Sequence, residues 1–230
     1  MPAKVTATPG TDRKPVLVFV PGLGADGSVY APLLNALRGD FDVRSADHSL
    51  RFPPDGLSWE FFFESIDRAL DGKPGYLVGH SMGGAIALRY AARHPERVRR
   101  VVTVAPVLFP FQRERHRARE RTRNALLALT GGHPLHVLHA LRTIRRRTAG
   151  GRARKLYDFV DTIDLSTDLP RLRQATILFP EQEEIIPHAH GRRVPMEFPN
   201  VVVKRVPGSH HAVALAPRKL LPLIREELHD

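Results

Sequence analysis

The sequence has no cysteine and few aromatic residues, which make up 7% of its 230 positions. Without cysteine the chain forms no disulfide, no thiolate metal site and no cysteine-based covalent intermediate. Twelve histidines are present, but no His-Glu-x-x-His or similar ligand spacing occurs, so we expect neither a metal nor another cofactor. No apolar run approaches the length of a membrane span, and residues 1–15 lack the apolar centre of a secretory signal. A cytoplasmic location is expected.

Charge is distributed unevenly along the chain. The hydrophobic content of 42% and charged content of 26% are typical of a globular protein, and the net charge is +11. Residues 111–160 contain 13 arginines or lysines against three acidic residues, so this segment carries +10 of that total. The rest of the chain is nearly neutral. The basic segment therefore needs an explanation of its own.

Apolar runs rich in β-branched residues alternate with stretches of helical periodicity along most of the chain. Such alternation, with near-continuous apolar strands, predicts an α/β fold whose mostly parallel sheet has helices on both faces. The predicted strands are 16–20, 41–44, 76–78, 98–105, 176–179 and 201–203, and the predicted helices are 30–37, 57–70, 82–93 and 218–228.

The alternation is interrupted between residues 111 and 169, where no convincing strand occurs. This segment has helical patterns, including Leu135, Leu138, Leu141 and Ile144 along one face. We interpret residues 111–169 as a basic helical cap inserted into a core formed by residues 1–110 and 170–230.

The hexapeptide Gly79-His80-Ser81-Met82-Gly83-Gly84 follows a predicted strand and precedes a predicted helix. A serine with glycines two residues away on either side fits a sharp strand-to-helix bend, where a Cβ at either glycine would collide with the chain. Such a bend exposes the hydroxyl beside the first amides of the helix. The pattern alone is weak, and the alternative is a serine that merely caps the helix.

A serine hydroxyl becomes a useful nucleophile when a histidine takes its proton and a carboxylate orients that histidine. Residues 180–187 follow one late predicted strand and contain three glutamates, and residues 206–211 follow the next and end in two histidines. The carboxyl ends of parallel strands are where open α/β sheets place their sites. The chain order is thus serine, acid, histidine.

These motifs resemble those of the α/β-hydrolase superfamily over almost the whole chain. Residues 79–84 look like its nucleophile elbow, and Pro21-Gly22-Leu23-Gly24 stands where many relatives have a His-Gly-x-Gly oxyanion loop. The segment 178–187 is similar to the acid loop, with Glu183 in place of the usual aspartate, and 207–211 resembles the histidine loop, with His211 at the matching position.

The resemblance implies a role for each of these residues. Ser81 would be the nucleophile, His211 the general base and acid, and Glu183 the carboxylate that orients it. The backbone N–H groups of Leu23 and Met82 would form the oxyanion hole. Glu181 or Glu184 as the acid, and His210 as the base, are the alternatives.

A serine hydrolase that cleaves a carboxylic ester or thioester is the function that this resemblance implies. A non-catalytic binding protein of the same fold, and an acyltransferase or haloperoxidase-like relative, are the alternatives. The expected partner is a small acyl substrate. The basic cap is interpreted either as solvated surface or as a lid that attracts anionic substrates or contacts an acidic membrane. No nucleic acid partner is expected, because the cap has few aromatic residues and matches no known binding module.

Overall fold

The computed structural model describes residues 14–110 and 134–229. Within them, six parallel strands form one sheet in the order β2-β1-β3-β4-β5-β6. The strands are β1 (Val16–Val20), β2 (Asp42–Ser45), β3 (Gly75–His80), β4 (Val98–Val104), β5 (Ala175–Gln182) and β6 (Val202–Ser209). The predicted parallel sheet is confirmed.

Helices cover both faces of the sheet because the central strands are apolar on both sides. In β1, Val18 and Val20 face one hydrophobic cluster, and Leu17 and Phe19 face the other. The helices are α1 (Ala31–Leu37), α2 (Trp59–Leu70), α3 (Met82–Arg93), α4 (Pro134–Thr148), α5 (Arg152–Asp161), α6 (His188–Glu197), α7 (Ala212–Leu215) and α8 (Leu221–His229). Side chains of α2, α3, α5 and α6 enter the first cluster, and those of α1, α7 and α8 enter the second.

Helix α2 illustrates how local sequence fixes these elements. Ser58 caps its first turn by accepting a hydrogen bond from the Phe61 N–H at 3.3 Å, and Asp71 ends it in the left-handed conformation. The apolar face predicted from the sequence packs into the first cluster, with Trp59 only partly buried. The buried members are Phe62, Phe63, Ile66 and Leu70.

Strands β5 and β6 are longer than their apolar runs suggest. β5 continues through Pro180 to Gln182, and β6 continues through Gly208 to Ser209. Proline and glycine are typical of loops, which explains the shorter prediction. Pairing shifts by one residue between Pro180 and Gln182, opposite a stretch of β6 in which Gly208 has a φ of +109°. A bulge of this kind re-aims the residues that follow it.

The inserted region between β4 and β5 contains α4 and α5. The N-terminal part of the predicted cap, residues 111–133, lies outside the described residues, and the cap boundaries stay a prediction. In α4 the leucine face points outward, with Leu135, Leu138 and Leu141 exposed by 70%, 43% and 57%. The side chains that α4 buries are Val137, Ala140, Thr143 and Arg147. Among the described helices none is long and apolar enough to cross a bilayer.

Candidate active site

Ser81 occupies the turn between β3 and α3 in a strained conformation, with a φ of 54° and a ψ of −121°. A Cβ on Gly79 would lie 2.7 Å from the Gly83 carbonyl oxygen, and a Cβ on Gly83 would overlap the carbonyl oxygens of Val20 and Pro21. The expectation that both glycines are required by close backbone approach is therefore confirmed. Ser81 precedes α3 but makes no side-chain capping hydrogen bond, which argues against a mere capping role.

The carboxylate of Glu183 is paired with the imidazole of His210. Its two oxygens lie 2.9 and 3.0 Å from the His210 Nδ1, and both side chains are almost completely buried. The pairing follows from strand register: Gln182, the last residue of β5, lies opposite Ser209, the last residue of β6. The next residue of each strand therefore meets its counterpart at the same sheet edge.

Glu183 is held ionised in this buried position. Burial raises its pKa, but the His210 charge and the hydrogen bonds that it accepts outweigh this effect and leave the pKa below its ordinary value. Besides His210, the donors are the backbone N–H groups of Ile185 and Ile186, at 2.8 and 2.9 Å from Oε1. These contacts thus fix the position of the carboxylate against the imidazole.

The sequence resemblance implied that Glu183 pairs with His211, but in the structure His211 is not its partner. The His211 ring lies perpendicular to that of His210, and its Nε2 is buried without a hydrogen-bond partner. Burial, with the nearby His210 charge, lowers the pKa of His211 to about 3, so this imidazole is neutral. Glu184 braces the same loop by accepting the His210 N–H at 3.2 Å, and Glu181 is exposed.

A buried hydrogen-bond chain joins the histidine loop to the proposed oxyanion loop. His80 Nε2 lies 2.9 Å from the His210 carbonyl oxygen, which can only accept, so Nε2 carries the ring proton. The burial-dominated lowering of the His80 pKa keeps the ring neutral, and its Nδ1 accepts from the Tyr30 hydroxyl at 2.8 Å. The Tyr30 oxygen in turn accepts the Gly22 N–H at 3.1 Å. One chain therefore sets the relative position of both loops.

The residues predicted for the oxyanion hole follow neighbouring strands. Val20 at the end of β1 pairs with Gly79 of β3, so Leu23 and Met82 lie in adjacent turns at the same edge of the sheet. The Pro21–Gly24 turn is closed by a 3.0 Å hydrogen bond from Ala25 N–H to the Gly22 carbonyl. A role of the two N–H groups in binding an oxyanion stays a prediction.

Helix α4 lies over this edge and contacts its loops. A Cβ on Gly24 would lie 2.5 Å from the Thr148 Cγ2. Arg147 is buried, donates from Nη2 to the His48 carbonyl oxygen at 2.9 Å, and places Nη1 3.6 Å from Asp26. Burial, and secondarily the Arg147 charge, lower the pKa of His48 to about 4. A buried cation therefore joins the helix to the loops at this edge of the sheet.

Sequence reasoning assigned no function to Tyr30 or His80, and it gave His210 only as the alternative base. His80 carried a signal, because it occupies the position just before the elbow serine. Because His210 and His211 are adjacent, the sequence did not decide which of them meets the carboxylate. No motif around Tyr30 indicated a role for its hydroxyl. Within residues 14–110 and 134–229 there is no cluster of three or more histidine or acidic side chains suited to a metal ion.

An elbow serine and a buried histidine–carboxylate pair, which follow strands of one parallel sheet with helices on both faces, are features of the α/β-hydrolase class. The chain belongs to the alpha/beta hydrolase family, whose model matches residues 17–223. Among solved structures it is similar to a thermophilic esterase from Thermogutta terrifontis, with a TM-score of 0.73, 20% identity and coverage of 97% of this chain and 96% of the other. The enol-lactonase from Burkholderia xenovorans LB400 matches with a TM-score of 0.70, 19% identity and coverage of 95% and 92%.

Curated relatives match over a smaller region. A putative carbamate hydrolase from Serratia proteamaculans is 37% identical over 102 residues, which are 41% of this chain and 38% of that protein. A human (lyso)-N-acylphosphatidylethanolamine lipase is 32% identical over 120 residues, or 47% of this chain and 35% of the relative. The matches thus span only 35% to 38% of these two relatives' own length.

Proposed function

We propose that this protein is a serine hydrolase that cleaves a carboxylic ester or thioester through an acyl-enzyme on Ser81. The observation that carries the proposal is the buried pair of Glu183 and His210 at the sheet edge where the strained turn presents Ser81. The pair supports His210, rather than His211, as the general base. A carboxylate on Nδ1 leaves Nε2 of the same ring as the proton acceptor.

The reaction then proceeds in two halves. Ser81 Oγ attacks the acyl carbonyl carbon while His210 Nε2 takes the hydroxyl proton, and His210 returns that proton to the departing alkoxide or thiolate. Water next attacks the acyl-enzyme, with His210 taking a proton from the water and returning it to Ser81 as the acid leaves. Glu183 holds the ring and stabilises its charged form throughout.

Backbone donors complete the proposed site. Each half-reaction places negative charge on the carbonyl oxygen, and the N–H groups of Leu23 and Met82 are proposed to bind it. Removal of one such donor typically costs about 3 to 4 kcal/mol of transition-state stabilisation. The Tyr30–His80 chain supports this arrangement because it holds Gly22, next to Leu23, at a fixed position relative to His210.

The proposal for the substrate is limited to its reacting group. Carbamates join esters and thioesters as test substrates, because a relative that matches two fifths of this chain is named a putative carbamate hydrolase. Acyl substrates bearing an anionic group are included because the cap segment is strongly basic. A cytoplasmic location stays a prediction.

Labelling by a fluorophosphonate probe tests the proposal directly. We expect the folded wild-type protein to be labelled on Ser81, and Ser81→Ala to abolish both labelling and turnover of short p-nitrophenyl esters. The matched control is Ser209→Ala, since Ser209 is a buried serine one residue from His210 but outside the elbow. A folded wild-type protein that is neither labelled nor active on the ester, thioester and carbamate panel would instead support a non-catalytic binding protein.

A further inference from the structure

Helix α4 presents an apolar surface to the outside of the molecule. Among the described residues, five large hydrophobic side chains are exposed, and three of them belong to α4. Leu135, Leu138 and Leu141 recur at intervals of three, so they share the outward side of the helix. An exposed apolar stripe of this kind on a helix marks a contact surface rather than ordinary solvent-facing structure.

Positive charge surrounds that stripe. Arg142, Arg145 and Arg146 are exposed on the same side of α4 as the leucines. Residues 134–161, which contain α4 and α5, carry seven basic residues against two acidic ones. The helix α4 itself has no acidic residue. An occupant of this surface must therefore be negatively charged and able to receive apolar side chains.

We propose that the outer face of α4, formed by Leu135, Leu138, Leu141, Arg142, Arg145 and Arg146, docks on an anionic lipid bilayer. Leucines enter the boundary between headgroups and acyl chains, and arginines lie against the phosphates, as in helices that rest in the plane of a membrane. The opposite face of α4 stays on the core through Arg147 and Thr148. A bilayer bound to the outer face would therefore be separated from the loops at the Ser81 edge only by α4 itself.

Charge complementarity favours a bilayer over the other occupants. A second copy of this chain would bring an equally basic face against the first, and like charges repel. Residues 111–133 carry six arginines and two glutamates, so they too share the sign of the surface. An anionic bilayer supplies both the missing negative charge and the apolar phase.

Vesicle co-sedimentation of the full chain tests the proposal. We expect binding to phosphatidylcholine vesicles that contain phosphatidylglycerol, weaker binding as salt rises, and little binding to phosphatidylcholine alone. Arg142→Gln with Arg145→Gln should lower the partition coefficient by about 25-fold, at about fivefold for each arginine. Leu138→Ser with Leu141→Ser should lower it by about tenfold or more.

Matched controls come from the rest of the surface. Met196 is 82% exposed on α6, and Arg99 is exposed at the amino end of β4, away from the strand ends that α4 covers. Met196→Ser and Arg99→Gln should leave vesicle binding unchanged. All variants should keep the wild-type melting temperature and the wild-type rate on a soluble short ester, so loss of vesicle binding is separable from any failure of the proposed hydrolase activity.

Four results would overturn the proposal. They are no binding to anionic vesicles, binding that the leucine variants leave unaltered, a solution dimer that these variants dissociate, and a melting temperature that they lower by several degrees. The last two would assign the leucine face to a second copy of the chain or to another part of the same chain.

Discussion

Helices α3 and α4 both border the proposed site, yet they differ in which side chains they bury. In α3 the buried positions are apolar or small, from Met82 to Ala92. In α4 three leucines are exposed, whereas Thr143 and Arg147 are buried. Helix α3 follows the usual pattern of a helix on a core, whereas α4 buries these two polar side chains beside Val137 and Ala140 and leaves its leucines outside.

The difference reflects what each helix packs against. Helix α3 lies on the apolar face of the sheet, where backbone groups are already paired within the strands. Helix α4 lies on loops at the carboxyl ends of strands, where backbone carbonyls need donors. Arg147 binds the His48 carbonyl, and His136 Nε2 lies 3.3 Å from the Ala214 carbonyl. A helix that covers such loops uses polar residues inward, which leaves its leucines to the outside.

The largest expected effect concerns the sheet edge that both helices border, where His210 and His211 follow β6. His210→Ala should lower kcat on a short ester by about 10⁴-fold or more, because it removes the proposed base, whereas His211→Ala should change kcat by about tenfold at most. Steady-state kinetics with both folded variants measures this difference. Equal losses, or a larger loss at His211, would return the base assignment to His211.

A smaller effect tests the buried polar contact of α4. Arg147→Met should lower the free energy of unfolding by about 2 kcal/mol, because it leaves the His48 carbonyl and the Asp26 carboxylate without their buried partner. The neighbouring Arg146 is exposed, and Arg146→Met should stay within about 0.5 kcal/mol of wild type. Chemical denaturation measures both. If the two substitutions cost the same, Arg147 is not the buried contact between cap and core.

The smallest effect concerns the chain of hydrogen bonds that joins the Gly22 loop to the His210 loop. Tyr30→Phe keeps the ring but removes the hydroxyl between Gly22 and His80, so kcat should fall about tenfold while KM changes little. Tyr76→Phe is the control, since that ring packs on Phe41 away from this chain. Esterase kinetics of the two variants, alongside their melting temperatures, checks the expectation.

Two substitutions of His80 distinguish a positioning role of this hydrogen-bond chain from a contribution to stability alone. His80→Gln keeps a donor near the Nε2 position and should retain more activity than His80→Asn, whose shorter side chain does not reach the His210 carbonyl. A purely structural role predicts activity that follows the melting temperature of each variant, with no advantage for glutamine.

Local patterns were sufficient for most of the fold. The continuous apolar run of β1 predicted both its bounds and its burial on two faces, and the glycines around Ser81 predicted the elbow. These features depend on neighbours along the chain, so they are readable from it. The outward orientation of the α4 leucines could not be predicted in this way. Periodicity shows that they share one face of the helix, but not whether that face packs on the core or is exposed.

By itself the sequence determined the family, the parallel sheet, the sharp turn at Ser81 and the two loops that hold Glu183 and the adjacent histidines. Which histidine meets Glu183 was decided only in three dimensions. Pro180 lies opposite Val206, but Gln182 lies opposite Ser209, so β6 has one extra residue in this interval. That bulge, with its left-handed Gly208, advances the register by one and brings His210 instead of Ser209 beside the carboxylate, whereas His211 would need a second extra residue. Register depends on the pairing of two strands distant in sequence, and no pattern within either strand specifies it.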